Sequence, residues 1–156
     1  MAYTPRAIFY KIAYQILMIY WFIFRPQVYG VRCLIECDGR VLFVRQTYGK
    51  MQWTFPGGGP RRDESREDAA RREVKEEVGI TLSELQWLGE YTTTEEYKRD
   101  TVRCYCGRVL SPDFKIDRNE IYEAGWFNLD NLPEPLSLDA KSVIRLYERR
   151  EVATLQ

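Results

Sequence analysis

The chain of 156 residues contains no histidine. That absence excludes a histidine general base, the Ser-His-Asp and Cys-His nucleophile systems, and zinc bound through imidazole. Any chemistry must therefore use carboxylates, lysine, tyrosine, cysteine or metal-bound water. Basic and acidic residues balance at 23 each, so the chain also lacks the positive charge that favours binding to nucleic acid. We expect no nucleic-acid partner on that ground.

The chain has only four cysteines, spaced as Cys33-x3-Cys37 and Cys104-x-Cys106. In strands, each pair would project to one side of a sheet as small buried residues. Zinc sites made of cysteines show C-x2-4-C spacings on loops, which one pair matches only loosely. We therefore expect free thiols and a reduced, cytoplasmic compartment.

Residues 7–24 form a long apolar and aromatic run in which Lys11 and Gln15 are the strongly polar interruptions. From residue 12 to residue 24 a helix would be about 20 Å long, short of the ~30 Å hydrocarbon core of a bilayer. Pro26 is expected to end the helix. A secretory signal peptide fits poorly, because no small-x-small cleavage site follows the run.

Three interpretations of residues 7–24 stay open at this stage. The helix can pack on the rest of the domain or on a second copy of the chain, making a homodimer. It can lie in a membrane surface, on its inner face, anchored by Trp21, tyrosines and basic flanks. It can also span the bilayer. We therefore treat residues 1–27 as a separate N-terminal segment and residues 28–156 as the main domain.

The sequence pattern of the main domain predicts strands interspersed with two helices. Residues 31–37 and 40–47 are strand-like runs separated by Asp38-Gly39, a strong hairpin turn. Further strands are predicted at residues 53–55, 85–93, 101–110 and 120–127. Helices are predicted at residues 65–78 and 138–150. This order predicts a sheet between layers of helices.

The helix at residues 65–78 follows three glycines, residues 57–59, that allow a ligand or metal to approach the main chain. Ser65 and Asp68 resemble a capping box, and Gly79 stands where a C-terminal cap belongs. Three apolar side chains at i, i+4 and i+8 would face the core: Ala70, Val74 and Val78.

Three glutamates share a neighbouring face of the same helix: Glu73, Glu76 and Glu77. Carboxylates so close together repel one another unless cations lie between them. Arg72 or Lys75 can neutralise part of the charge. A hard divalent ion does so better, since Mg²⁺ binds a few carboxylates together with substrate phosphates.

Residues 58–80 match every fixed position of the pattern G-x5-E-x7-R-E-U-x-E-E-x-G-U, in which U is apolar. That pattern is the Nudix box, and the chain resembles the MutT-like Nudix hydrolase family from about Val28 to Leu146. Residues 53–58, WTFPGG, are similar to the segment that leads into such a box. The resemblance implies an α/β/α sandwich with a mixed β-sheet, preceded here by an extra N-terminal apolar helix.

The resemblance implies hydrolysis of a nucleoside diphosphate linked to another group, by attack of water on phosphorus with Mg²⁺ or Mn²⁺. Substrates of this class are nucleoside triphosphates, dinucleoside polyphosphates and nucleotide sugars. By resemblance, Glu73 and Glu77 are direct metal ligands, with Glu76 sharing the site. The carbonyl of Gly57 or Gly58 is a further ligand.

Two other positions of the box, Arg72 and Glu64, would hold the loop–helix–loop together, and Glu64 serves as a ligand or base in some members. The family also uses a base outside the box. Glu120 is our first candidate for that role; three other acids follow it: Glu95, Glu96 and Glu123.

Nucleotide binding needs an aromatic platform and cations for phosphate. The stacking candidates are Trp53, Tyr48, Tyr91 and Tyr97. The phosphate-binding candidates are Arg45, Arg61 and Arg62. Tyr97 is spaced from the box as is a tyrosine of diadenosine-polyphosphate hydrolases, whereas Glu96 stands where ADP-ribose hydrolases have proline.

Two alternative functions are a non-catalytic nucleotide-binding module that regulates a partner, and a membrane-associated hydrolase of a lipid-linked diphosphate. The first would be expected to have lost a carboxylate of the box, and none is lost. The second is suggested by residues 7–24.

Overall fold

The computed structural model describes residues 4–154, so the ends of the predicted segments 1–27 and 28–156 lie outside the described residues. In chain order the described elements are α1 (Pro5–Phe24), β1 (Gln27–Cys37), β2 (Arg40–Gln46), β3 (Trp53–Thr54), α2 (Arg66–Val78), β4 (Gln86–Thr93), a 3₁₀ turn (Glu95–Tyr97), β5 (Arg99–Arg108), β6 (Ile121–Phe127) and α3 (Leu138–Thr154).

All six strands of the described chain belong to one mixed sheet with the order β3-β2-β1-β5-β4, and β6 pairs with β2. Only β1 and β5 are parallel, and they pair along almost their whole length. β1 and β2 pair only beside their turn, at Glu36–Val41 and Cys37–Arg40. Beyond that point they diverge, and β2 continues with β3 and β6. The divergence leaves one edge of β1 open to another segment.

Helices cover both faces of the sheet, as the sequence predicts. Alternate residues of β1 point to opposite sides: Cys33 and Ile35 pack in the cluster that contains α2, and Leu34 packs in the cluster that contains α3. The predicted stripe Ala70, Val74 and Val78 is fully buried. Val143 and Ile144 bury the inner side of α3. The α/β/α sandwich with a mixed sheet is confirmed.

The four cysteines are buried and free, which confirms the prediction that they are small core residues. Burial raises the pKa of the Cys104 thiol to about 12. Burial also raises the pKa of the Cys33 thiol. Protonated thiols of this kind are poor nucleophiles and poor metal ligands.

α1 lies outside the sandwich. It is capped by Thr4, whose Oγ1 accepts a hydrogen bond from the Ala7 amide, and it ends at Phe24 before Pro26, as predicted. Length and composition alone would allow α1 to cross a membrane. Within α1 only Ala7 is buried. The large apolar residues that α1 exposes are Ile8, Phe9, Ile12, Ile16, Leu17, Ile19, Tyr20, Phe22, Ile23 and Phe24.

The 3₁₀ turn at Glu95–Tyr97 was not predicted, because a three-residue turn carries no hydrophobic periodicity. Glu96 and Tyr97 adopt positive φ angles of 56° and 65°. The turn supports α1, since the ring centroids of Tyr97 and Phe22 are 5.1 Å apart. The N-terminal helix is therefore joined to the domain at a point that the sequence pattern does not reveal.

Candidate active site

The glycine segment fills the edge of β1 that β2 leaves open. The amides of Val31 and Cys33 donate to the carbonyls of Gly58 and Pro56, at 2.8 and 2.9 Å. At Gly57 the φ angle is +157°, and a Cβ there would lie 2.0 Å from the Val31 carbonyl oxygen. Any larger residue at this position would push the segment away from β1.

Gly58 brings the main chain against the carboxylates of α2. A Cβ on Gly58 would lie 2.5 Å from Oε1 of Glu73, so a side chain would occupy the place of that carboxylate. The Gly58 carbonyl accepts from Val31, which leaves its second lone pair for another ligand. The glycine therefore gives room both for the carboxylate and for a cation beside it.

The three glutamates of α2 differ in burial because the helix turns its apolar stripe inward. Glu77 is only 2% exposed, whereas the side chains of Glu73 and Glu76 are 13% and 47% exposed. Glu77 thus lies beneath the glycine segment, Glu73 beside it, and Glu76 at the rim. The three glutamates therefore lie at different depths on α2.

The Glu77 carboxylate is the most perturbed acid of the site. Its Oε2 accepts a hydrogen bond from the Gly57 amide at 3.2 Å. Burial raises the pKa of Glu77 to about 8, the charge of Arg32 opposes that rise, and the charges of Glu73 and Glu120 add to it. A divalent cation would offset this unfavourable desolvation of the carboxylate.

Arg72 is the cation that the chain itself supplies to the cluster. Its guanidinium donates to both carboxylate oxygens of Glu64 at 2.8 and 2.9 Å. Nη1 also donates to Glu73 at 2.7 Å and to Glu76 at 3.0 Å, and Nη2 donates to the Gly59 carbonyl at 3.0 Å. One side chain therefore joins the loop to two carboxylates of the helix.

Glu64 is held by two donors, Arg72 and the Arg61 amide at 2.8 Å. The hydrogen bond from Arg72 holds the pKa of Glu64 down to about 2, which makes this carboxylate a weak proton acceptor. Lys75, the other cation considered, donates instead to Thr81. Glu64 is therefore suited to holding Arg72 in place and not to accepting a proton.

The donor set fits a hard divalent cation. Carboxylates of Glu73 and Glu77 lie next to the Gly58 carbonyl, and oxygen ligands of this kind are those that Mg²⁺ prefers. Among residues 4–154, no group of three acidic or cysteine side chains converges closely enough to surround an ion alone. Water and substrate phosphate would complete the ligand shell, as is usual for Mg²⁺.

Of the acids considered outside the box, Glu120 is the one that faces this cluster. Its charge contributes to the raised pKa of both Glu73 and Glu77. Its Oε1 accepts a hydrogen bond from the Tyr10 hydroxyl of α1 at 2.9 Å. The other three are engaged elsewhere: Glu95 with Lys50, Glu96 with Tyr14 and Lys98, and Glu123 with Arg45.

Two predicted substrate-binding residues, Trp53 and Arg45, contact each other on neighbouring strands of the sheet. Trp53 is 6% exposed, and its ring packs edge-on against Phe127 at 5.1 Å. Arg45 lies over the same ring at 5.4 Å and pairs with Glu123 at 3.2 Å. The pairing of β3 with β2 leaves little of the Trp53 ring open for stacking, and Arg45 is engaged by Glu123.

The remaining substrate-binding candidates divide by position. Tyr97 packs against Phe22 and does not line the cavity beneath α1. Arg61 lies at the rim, where its Nη2 donates to Glu76 at 2.8 Å. Tyr91 donates to Asp139, and Arg62 is exposed beside Asp63. Tyr48 is the stacking candidate that lines the cavity.

A cavity of about 500 Å³ lies between α1, the start of β1 and the glycine segment. Its size is that of a small-molecule site. α1 contributes a whole wall: Tyr10, Ala13, Tyr14, Leu17 and Trp21. These residues recur at helical spacing, so the sequence carries a signal for one shared face. The signal is hard to recognise because the run is apolar on its other faces as well.

The family model of the NUDIX domain matches residues 25–147 of the chain. The chain belongs to this family. Its members generally use divalent metal ions and act on small nucleotide diphosphate substrates. The match begins at the end of α1, so the family accounts for the sandwich and the box but not for the wall that α1 adds.

Individual NUDIX relatives match over different extents. The chain is 30% identical to the ADP-ribose pyrophosphatase of Methanocaldococcus jannaschii over 126 residues, which is 74% of this chain and 70% of that protein. It is 42% identical to the RNA pyrophosphohydrolase of Saccharophagus degradans over 66 residues, which is 42% of this chain and 38% of that protein. The chain therefore spans less than half the length of the RNA pyrophosphohydrolases that it matches.

A solved NUDIX structure has the same fold. The MutT protein from Methanosarcina mazei superposes with a TM-score of 0.72 at 26% identity, covering 82% of this chain and 97% of that one. The likeness agrees with the sandwich described above.

We predict that Glu77→Gln stabilises the metal-free protein. An unfolded glutamate has a pKa near ~4.3. The pKa of Glu77 is raised in the folded protein, so the folded state binds the proton more tightly than the unfolded state does. The stability of wild type therefore falls as the pH rises from ~4.3, the unfolded pKa, to about 8, the folded pKa. Glutamine removes that loss. In EDTA at pH 8 the variant should unfold at a higher temperature than wild type. The difference between the two unfolding temperatures should be smaller at pH 5.

The control is Glu67→Gln, which changes an exposed carboxylate of the same helix paired with Arg71. It should leave the unfolding temperature nearly unchanged. Mg²⁺ should raise the unfolding temperature of wild type and of the control, but not that of Glu77→Gln. A metal-free Glu77→Gln protein that is less stable than wild type at pH 8 would contradict this account.

Proposed function

We propose that the protein is a divalent-metal-dependent pyrophosphohydrolase that cleaves a nucleoside diphosphate linked to another group. The observation that supports it most is the buried Glu77 carboxylate, which the glycine segment covers and one amide contacts. A carboxylate buried in this way suits a site that holds a divalent cation. The complete set of Arg72 contacts with the loop and helix supports the same function.

Glu73 and Glu77 would hold Mg²⁺ or Mn²⁺, with Glu76 and the Gly58 carbonyl as further ligands. When bound there, such an ion would supply a water molecule of lowered pKa and positive charge for the phosphate oxygens. Arg72 positions Glu73 and Glu76. It also keeps the glycine segment against the helix through its bond to Gly59.

Glu120 is our candidate for the group that accepts a proton from the attacking water. Tyr10 holds one oxygen of this carboxylate, and the charge of Glu120 acts on both metal-binding glutamates. In this role Glu120 stands between the metal site and α1. Arg61 at the rim would meet the phosphate chain, since it is already drawn to this place by Glu76.

The substrate is a small nucleotide diphosphate derivative: a nucleoside triphosphate, a dinucleoside polyphosphate or a nucleotide sugar. Two relatives are an ADP-ribose pyrophosphatase and an RNA pyrophosphohydrolase, so ADP-ribose and RNA are further candidate substrates. Tyr97 no longer favours a dinucleoside polyphosphate, because it packs against Phe22 outside the cavity.

The direct test is an assay of phosphate or nucleotide release with Mg²⁺ or Mn²⁺. The substrates are NTPs, dNTPs, diadenosine polyphosphates, ADP-ribose, NDP-sugars, a 5′-triphosphorylated RNA and isoprenoid diphosphates. We expect cleavage of one nucleotide class, abolished by EDTA. If the folded, metal-loaded protein cleaves none of these substrates, the proposal is overturned and a nucleotide-binding module is favoured.

We also propose that α1 attaches the protein to the inner face of a membrane. Its outer face is mostly apolar, with Ile12, Ile16 and Ile23 each more than half exposed. No acidic residue occurs before Glu36, whereas the same stretch has four basic ones. Such a surface complements an anionic lipid headgroup layer.

An interfacial position suits α1 better than a spanning one. Its cavity-facing side contacts the domain through Tyr10, Tyr14 and Trp21. A helix that crossed the bilayer would have to give up these contacts. A helix lying in the surface keeps them and buries only its apolar side in lipid.

Flotation with vesicles of phosphatidylglycerol and phosphatidylethanolamine tests this attachment. Wild type should float with the vesicles, and the double variant Ile16→Glu/Ile23→Glu should stay in the dense fraction. Val152→Glu, a change at an exposed site of α3, should float as wild type does. A wild type that fails to float and elutes as a dimer, with a monomeric double variant, would make this face a homodimer interface instead.

A further inference from the structure

The segment that carries Glu120 is fixed to the sandwich through its main chain. The Asp117 amide donates to the Glu77 carbonyl at 2.9 Å, so the segment begins at the C-terminal end of α2. The Thr47 amide donates to the Glu120 carbonyl at 2.7 Å, and the Thr47 hydroxyl donates to the Asn119 carbonyl at 2.8 Å. These bonds fix the backbone of Glu120 between α2 and the end of β2. They do not reach its carboxylate.

The side chain of Glu120 is held from α1. The Tyr10 hydroxyl donates to Glu120 Oε1 at 2.9 Å. The start of α1 makes a second contact with the segment, since the Thr4 hydroxyl donates to Asn119 Oδ1 at 3.0 Å. Among residues 4–154, the other carboxylate oxygen of Glu120 has no hydrogen-bond partner. One oxygen is therefore fixed, and the other is left for a ligand.

Tyr10 is itself held in place. Its ring stacks on the ring of Tyr48, with the centroids 6.3 Å apart and 19° between the planes. The hydrogen bond to Glu120 raises the pKa of the Tyr10 hydroxyl, so this group stays protonated and remains a donor at neutral pH. Tyr10 lies before residues 25–147, the part that the family model matches. The donor thus belongs to the helix that the family model does not cover.

The direction of the carboxylate matters for the proposed reaction. The water oxygen forms a bond to phosphorus, the water proton passes to Glu120, and the bond from phosphorus to the leaving oxygen breaks with its electron pair on that oxygen. A general base must lie within hydrogen-bond reach of the proton that it takes. Glutamate loses rotamer freedom when it is ordered, and the bond from Tyr10 imposes that order before substrate arrives.

We propose that α1 is part of the catalytic centre, with Tyr10 as the positioning residue that directs the Glu120 carboxylate toward the attacking water. The inference rests on the proposed function, because it assigns a role in the same hydrolysis. It is independent of membrane attachment, which uses the exposed side of α1. The charge of Glu120 acts on both Glu73 and Glu77, which agrees with a carboxylate directed at the candidate metal site.

Tyr10→Phe tests the positioning, because it keeps the ring against Tyr48 and removes the hydroxyl. In single-turnover experiments the chemical step should slow by about tenfold to a hundredfold, the loss expected for one hydrogen bond to a charged group. KM should stay at the wild-type value, and so should the rise in unfolding temperature that Mg²⁺ causes, since Glu73 and Glu77 are unchanged. A structural role alone would lower the unfolding temperature without this selective loss of rate.

A double-mutant cycle with Glu120→Gln shows whether Tyr10 acts through this carboxylate. Glu120→Gln alone should slow the chemical step by about a hundredfold to ten-thousandfold, the contribution of a general base. Adding Tyr10→Phe to Glu120→Gln should cause no further loss, because no base is left to position. Losses that multiply in the double variant would overturn the inference.

Tyr20→Phe is the matched control, since it removes a hydroxyl on the exposed side of the same helix. It should leave the rate of the chemical step unchanged. An active enzyme in which Tyr10→Phe or Glu120→Gln keeps the wild-type rate would overturn the inference and leave the hydrolase function intact. A wild type that cleaves none of the substrates named above would reject the hydrolase function and this inference with it.

Discussion

The structure depends on one unfavourable arrangement, a carboxylate enclosed under a backbone segment. Glu77 is turned inward by the same helical face that buries Val74 and Val78, and the Gly57 amide is its hydrogen-bond donor. The segment can lie there only because residues 57 and 58 lack side chains. Its carbonyls also complete the edge of β1. The sheet, the helix and the candidate metal site therefore meet at this point.

α1 adds a wall of the neighbouring cavity to that arrangement. Its aromatic side closes the cavity and contacts Glu120 and Glu96, and its apolar side has no cover within the described chain. If lipid covers the apolar side, attachment of the helix also fixes the wall of the substrate cavity. Membrane binding and substrate binding would then be coupled through Tyr10 and Tyr14. An enzyme of this kind would act on nucleotides close to the membrane surface.

The sequence predicted the local features well, because they follow from short-range patterns. The spacing of Ala70, Val74 and Val78 defined the buried face of α2, and the Asp38-Gly39 pair defined the β1–β2 hairpin. Long-range placement could not be predicted in the same way. Trp53 stands beside the glycines in sequence, yet strand pairing of β3 with β2 buries its ring. Thr54 and Tyr14 meet at one cavity only because the chain folds α1 over it.

The most direct measurement of the central claim is the turnover of Glu77→Gln on the substrate that wild type cleaves, with saturating Mg²⁺. If this carboxylate holds the catalytic metal, kcat should fall by orders of magnitude while the variant stays folded. Glu67→Gln, on the exposed side of the same helix, should keep the wild-type rate. A folded Glu77→Gln enzyme with near-wild-type turnover would contradict the account.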